Sequence, residues 1–219
     1  MTTWQELAES AASCTRCDLY KRATATVFGE GKTDAAMVLL GEEPGDQEDK
    51  QGRPFVGPAG RVLDRALNDA GIDRAEVYLT NAVKHFKWTE RGKRRIHQRP
   101  NGTEIKACGF WLDAELGVIR PRLLVLLGAV AGEAVFGSRF RVGDHKGKVE
   151  EAEFGQWRGM VVSTIHPSAV LRGDDPETRE RSFAGLVADL VTAREALRRG
   201  GSGQARARRG RSTGGPPLR

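Results

Sequence analysis

The chain has 219 residues, 39% of them hydrophobic, which is enough apolar material for one sizeable core built around a sheet. Its first residues, MTTWQELAESAAS, are polar and amphipathic, and no apolar run approaches the length that crosses a bilayer, so the sequence predicts a soluble, cytosolic protein with no membrane partner. The formal net charge of +6 is unevenly placed. Seven of the 35 basic residues are arginines between Arg198 and Arg219, a stretch without a single acid, and the rest of the chain carries 28 basic against 29 acidic residues. Any contact with a polyanion by the folded part must therefore be local. The tail itself, RRGGSGQARARRGRSTGGPPLR, is rich in Gly, Arg and Pro and reads as disordered, either a source of non-specific phosphate affinity or a solubilising remnant.

In chain order, the first chemically distinctive feature is CTRC, with Cys14 and Cys17. With Cys108 the chain has three cysteines, which rules out a fully paired disulfide framework and leaves a cysteine-only metal site one ligand short. The first strand-like run, residues 35–41 (AAMVLLG), leads into GEEPGDQED, a Gly/Pro-shaped turn that holds Glu42 and Glu43, able to serve as base or as stabiliser of a nearby cation, or else simply solvated. QGRPFVGPAG follows, with Phe55 as an aromatic face for an unstacked base or as an ordinary core residue, ahead of a helix over residues 59–70. The second strand, residues 77–83 (VYLTNAV), ends near Asn81, whose amide offers a donor and an acceptor to the edge of a pyrimidine, and near His85. Soft thiolates with one imidazole suit zinc or an iron–sulfur cluster equally, and spacing does not separate the two.

RGKRRIHQR, residues 91–99, places five basic residues around Ile96 and His97 in a predicted loop that is either a solvated face or a phosphate contact. A helix over 103–116, a third strand over 122–128 (RLLVLLG), a helix over 130–136 and a fourth strand over 160–165 (MVVSTI) come next; residues 143–158 are able to add a hairpin or an extra strand. The last strand runs into HPSAVLR, where Pro167 ends the strand and leaves His166 at its edge, and a helix over 177–199 closes the fold. Continuous apolar runs alternating with helices predict an α/β three-layer sandwich on a mainly parallel, four-stranded sheet. The polar loops after the strands should then converge on one crevice at the sheet's carboxyl edge.

Taken together, GEEPGDQEDKQGRPFVGPAG, LTNAVKH, LLG and HPSAVLR resemble, in order, the motifs of the family 4 uracil-DNA glycosylases and their UdgX-type relatives, over most of residues 14–190. Family 4 has cysteine where this chain has His85. The UdgX type has histidine there and also carries an inserted KRRIH loop, present here as Lys93 to His97. The resemblance implies a glycosylase-like domain over residues 1–197 with the tail over 198–219, and a structural [4Fe–4S] cluster on Cys14, Cys17, His85 and Cys108. It implies a uracil pocket in which Phe55 stacks on the base, Asn81 reads its edge and His166 hydrogen-bonds the carbonyl that gathers charge. Gly41, Glu42, Asp46 and Ser168 match further active-site positions, and Arg94 and Arg95 would hold the loop against phosphate. It further implies that His97, oriented or deprotonated by Glu42, attacks the sugar and leaves a monomeric, single-use enzyme covalently attached to uracil-containing DNA, with single strands preferred. Glu43 departs from the glutamine often found in this subgroup; an added carboxylate either disturbs the pocket or strengthens its negative field. A conventional multiple-turnover glycosylase and a non-catalytic DNA-binding or zinc module are the rival readings.

Overall fold

Alternation along the strands divides the apolar residues between two cores. In a computed structural model that describes residues 3–209, and side chains as far as residue 200, β2 (Met37–Gly41) and β6 (Leu123–Leu127) are buried at every position. Val38, Leu40, Leu124 and Leu126 face one core with Leu112 and Leu116, whereas Met37, Leu39, Leu123 and Val125 face the other with Leu63 and Leu190. Successive side chains of a strand point to opposite faces, so a strand covered on both sides must be apolar throughout. The first core is closed by α1 (Trp4–Ala12), α4 (Gly102–Ile119) and α5 (Ala129–Phe136), the second by α3 (Pro58–Asp69) and α8 (Pro176–Arg209), which gives three layers.

The sheet has six strands rather than four, in the order β1-β3-β2-β6-β8-β7. The four central strands, including β3 (Tyr78–Asn81) and β8 (Trp157–Thr164), are parallel. The two unpredicted ones are antiparallel edges. β1 (Glu30–Gly31) is too short to show a pattern, and β7 (Val149–Phe154), within the stretch where an extra strand was allowed for, is mostly polar and buries only Ala152. The basic segment is also not a loop: β4 (Trp88–Arg91) and β5 (Arg94–His97) form a hairpin that pairs with no strand of the main sheet. Its two-residue connection begins at Gly92, with φ +60°, where a tight hairpin needs the left-handed region. Helix α8 continues beyond Leu197, where the tail was expected to begin, and residues 210–219 lie outside the described residues. No described helix is long and apolar enough to cross a membrane.

A buried polar cluster ties this framework together beneath the carboxyl edge of the sheet. Glu115 of α4, fully buried, pairs with the equally buried Lys84 and accepts hydrogen bonds from the Tyr78 hydroxyl (2.8 Å), the Thr80 hydroxyl (3.0 Å) and the Gly29 backbone N–H (3.0 Å). The Trp4 indole donates in turn to Tyr78 Oη (2.7 Å), so the first helix is fastened to the same group. Lys84 Nζ also donates to the Asn81 carbonyl at 2.9 Å, which links the cluster to the end of β3.

Candidate active site

All four parallel strands end at the same edge, and the segments that follow β2, β3 and β8 enclose a cavity of about 760 Å³. Glu42, Asp46, Phe55, Asn81, His97, His166 and Ser168 all line it. Gly41 lies at the floor. A Cβ there would stand 2.6 Å from Phe55 Cζ and collide with Asn81 Oδ1, so only glycine lets the ring and the amide approach each other. Phe55 is buried, adopts φ +55° and lies 6.4 Å from the His166 ring at an interplanar angle of 29°. This strained backbone is accommodated because Gly60, one turn into α3, has no Cβ to strike the Phe55 carbonyl. Among the described residues the Asn81 amide has no protein hydrogen-bond partner, so its donor and acceptor remain available to a bound molecule.

His166 is fixed from behind. The Ser168 backbone N–H donates to its Nδ1 at 3.2 Å, with the Ser168 hydroxyl 2.8 Å away, so Nδ1 is the acceptor and Nε2 carries the hydrogen. Burial, with Arg172 and His97 nearby, pulls its pKa down to about 4 and keeps the ring neutral. The ring reaches this place because Gly128, at φ +95°, leaves room for it: a Cβ at Gly128 would lie 2.8 Å from His166 Cβ.

The hairpin delivers His97. In β5, Arg95 and His97 share a face. Arg95 turns inward, donating to Asp46 Oδ1 and Asp49 Oδ2, each at 2.6 Å, on α2 (Asp46–Gln51), with its guanidinium over the rings of Phe86 (5.3 Å) and Trp88 (5.4 Å). The expectation that Arg95 meets phosphate is therefore not matched by its placement, since its donors are occupied by carboxylates. Arg94 is exposed and does not line the cavity. Asp46, also bonded to Lys50 Nζ at 2.6 Å, has its pKa lowered by Lys50 and then Arg95, and it anchors the hairpin. Arg95→Ala is expected to lower stability by about 2 kcal/mol, because buried Asp49 loses a charged partner. A urea melt would read that loss, and faster amide exchange across β4 and β5 would locate it.

His97 is 47% exposed at its side chain and neutral, its pKa lowered by burial against the opposing pull of Glu42. Glu42 Oε1 is 3.8 Å from its Nε2, but the nearer carboxyl is Glu43, with Oε1 at 3.0 Å. Glu43 is fully buried at its side chain, and desolvation together with the neighbouring Glu42 pushes its pKa up to about 10. Burial and that acidic neighbour therefore favour the neutral form of its carboxyl. Arg99, anchored on Glu133 at 2.6 Å, and Arg172 complete the rim. Neither was given a role from sequence, although Arg99 ends the basic run of residues 91–99 and Arg172 ends the quoted HPSAVLR segment, six residues past His166.

The four proposed metal ligands lie elsewhere, under the N-terminal segment. Cys14 and Cys108 are buried and all three thiols are free. Cys14 Sγ accepts from the Trp111 indole at 3.0 Å and Cys108 Sγ from the Lys84 backbone N–H at 3.2 Å. Among the described residues no three donors converge as a single metal ion requires. A polynuclear cluster spreads its ligands over separate irons, and the donor chemistry suits one: three sulfurs, N–H groups aimed at two of them, and His85, whose buried Nδ1 has no partner while Nε2 meets Thr26 Oγ1 at 2.9 Å.

The model of the uracil DNA glycosylase superfamily matches residues 28–191. A type-4 uracil-DNA glycosylase of Thermotoga maritima is 38% identical over 186 residues, covering 82% of this chain and 91% of its own. Those of Pyrobaculum aerophilum and Archaeoglobus fulgidus are 36% and 35% identical, covering 77% and 82% of this chain and 84% and 88% of theirs. The matched region contains every residue of the cavity, and the chain belongs to the uracil-DNA glycosylase superfamily.

Proposed function

We propose that the protein excises uracil from DNA and ends each reaction joined through His97 to the deoxyribose it has acted on. The observation that carries this reading is the hairpin, which places a neutral imidazole on the wall of the same cavity as Phe55, Asn81 and His166. Uracil stacked against Phe55 presents one polar edge to the Asn81 amide and a carbonyl to His166. As the bond from C1′ to N1 breaks, the electron pair leaves with the base, and the neutral donor His166 Nε2–H stabilises the resulting anion without first having to lose or gain a proton. The Glu42 carboxylate faces the cationic sugar. Nε2 of His97 then supplies the pair that forms the new bond to C1′, and the imidazolium so produced is faced by Glu42. A carbon–nitrogen bond to a sugar is not readily hydrolysed, so the protein acts once.

The donor set of Cys14, Cys17, His85 and Cys108 would hold a [4Fe–4S] cluster whose contribution is structural, clamping the N-terminal segment to α4 and to the chain after β3. An absorption band in the visible, with iron rather than zinc by metal analysis, is the expected finding.

The deciding experiment is denaturing electrophoresis of the protein mixed with uracil-containing and thymine-containing oligonucleotides. A shifted band with uracil alone is expected; free uracil in excess of protein with no shifted band would make the protein a multiple-turnover enzyme. The rate of band formation should also depend on pH in a defined sense. His97 has a pKa below its ordinary 6.5 and Glu42 one above its ordinary 4.5, and the reaction needs the first neutral and the second ionised. Both conditions are met at higher pH and lost by protonation, so single-turnover rates should fall as the pH is lowered, on one acid limb that both groups share, and neither group should add an alkaline limb.

A further inference from the structure

We infer that Glu43 is a positioning residue that selects the tautomer of His97, keeping hydrogen on Nδ1 and the lone pair on Nε2. The inference rests on the proposed attack by His97 and concerns a residue for which the family resemblance supplied no role. Its basis is geometric. Glu43 Oε1 lies 3.0 Å from His97 Nε2, and the carboxyl has no solvent exposure. The other groups that bear on it are Glu42 and Glu104, both acidic, and Lys87, whose backbone N–H reaches Oε1 at 3.3 Å and whose ammonium, paired with Glu104 at 2.8 Å, is the one charge favouring ionisation; among the described residues Oε2 is buried with no partner. An ionised carboxylate with one long donor, an orphaned oxygen and two acidic neighbours is the costlier state. The shift of the Glu43 pKa to about 10 agrees with this.

Among the described residues a protonated Glu43 has one acceptor within reach, His97 Nε2, so its O–H donates there and the imidazole must keep its hydrogen on Nδ1. The opposite arrangement, an ionised Glu43 accepting from Nε2–H, would leave the attacking nitrogen without a lone pair. With the Nδ1–H form already set, no proton has to be removed from the nucleophile during the step. The ring slides off the carboxyl as the sugar arrives, a movement its half-exposed side chain permits. The C1′–N1 pair then leaves with uracil, the Nε2 pair forms the bond to C1′, and the Nδ1 hydrogen stays in place. Glutamine at this position would be able to do the same through its amide N–H, which gives a conservative replacement to test.

The test reads the tautomer directly and without DNA. In full-length protein labelled with ¹⁵N-histidine, two-bond ¹H–¹⁵N correlations, with His97→Gln used to assign the ring, are expected to show His97 as the Nδ1–H form. An Nε2–H form would overturn the inference. Glu43→Gln should keep the tautomer and form adduct within about threefold of the parent rate, whereas Glu43→Leu, close in volume but without a donor, should give mixed tautomers and an adduct rate at least roughly tenfold lower. Unchanged tautomer and rate in Glu43→Leu would also overturn it. If Glu43→Leu does not fold, the parent spectrum and Glu43→Gln still decide. A parent protein that makes no adduct at all would defeat the proposed function, while the spectrum would continue to report on Glu43 alone.

Discussion

His97→Ser is expected to abolish the covalent product while leaving uracil release in place. His97 is half exposed, so its loss should cost the fold little, and the serine leaves a gap beside the anomeric carbon that a water molecule fills. On denaturing gels the shifted band should fall from near-stoichiometric to background, and uracil released per protein should rise above one. A persistent adduct in this variant would remove His97 from the chemistry. Glu42→Gln is the companion measurement. It retains shape but not charge, and adduct formation should slow by roughly a hundredfold, within the usual range for a positioned acid–base or charge-stabilising group. Equal rates in Glu42→Gln and the parent would leave Glu42 without a part.

Glu115→Ala should be the most damaging single truncation for stability. It strands the Lys84 ammonium in a fully buried site and leaves the Tyr78 and Thr80 hydroxyls and the Gly29 N–H without their acceptor. Removing one member of a buried pair costs about 3–5 kcal/mol, and a fall of the urea midpoint by roughly 1–2 M would record it. Replacing both charges, as Lys84→Met with Glu115→Leu, should cost clearly less than Glu115→Ala alone, because no charge is then left buried. A double variant as unstable as the single one would mean that the hydroxyl network, rather than the ion pair, holds the region. Since Lys84 also holds the Asn81 carbonyl, the single truncation should weaken substrate binding even though Glu115 does not line the cavity.

The central strands were legible because burial on both faces forces unbroken apolar runs such as LLVLL. The polar residues gathered at the sheet's edge were legible for a related reason: parallel strands must all end on one side, so Glu42, Asn81 and His166 had to be neighbours. What sequence did not disclose depends on tertiary contacts. The hairpin shows no apolar alternation, since Arg95 is held by carboxylates of α2 and by two rings rather than by a core, and a basic run of that kind reads as a solvated loop. For the same reason Arg95 looked like a phosphate contact when its donors are in fact turned inward. Nor does a Glu-Glu pair in a tight turn reveal which carboxyl is shut away from water; adjacent side chains diverge, and only the packed structure places Glu43 rather than Glu42 against the imidazole.

The proposed nucleophile rides on a ribbon that shares no hydrogen-bonded ladder with the main sheet. No residue from Trp88 to His97 belongs to either core, so changes there that spare the Arg95 anchor leave the scaffold in place and, under the proposed chemistry, would alter whether an abasic strand is released or capped.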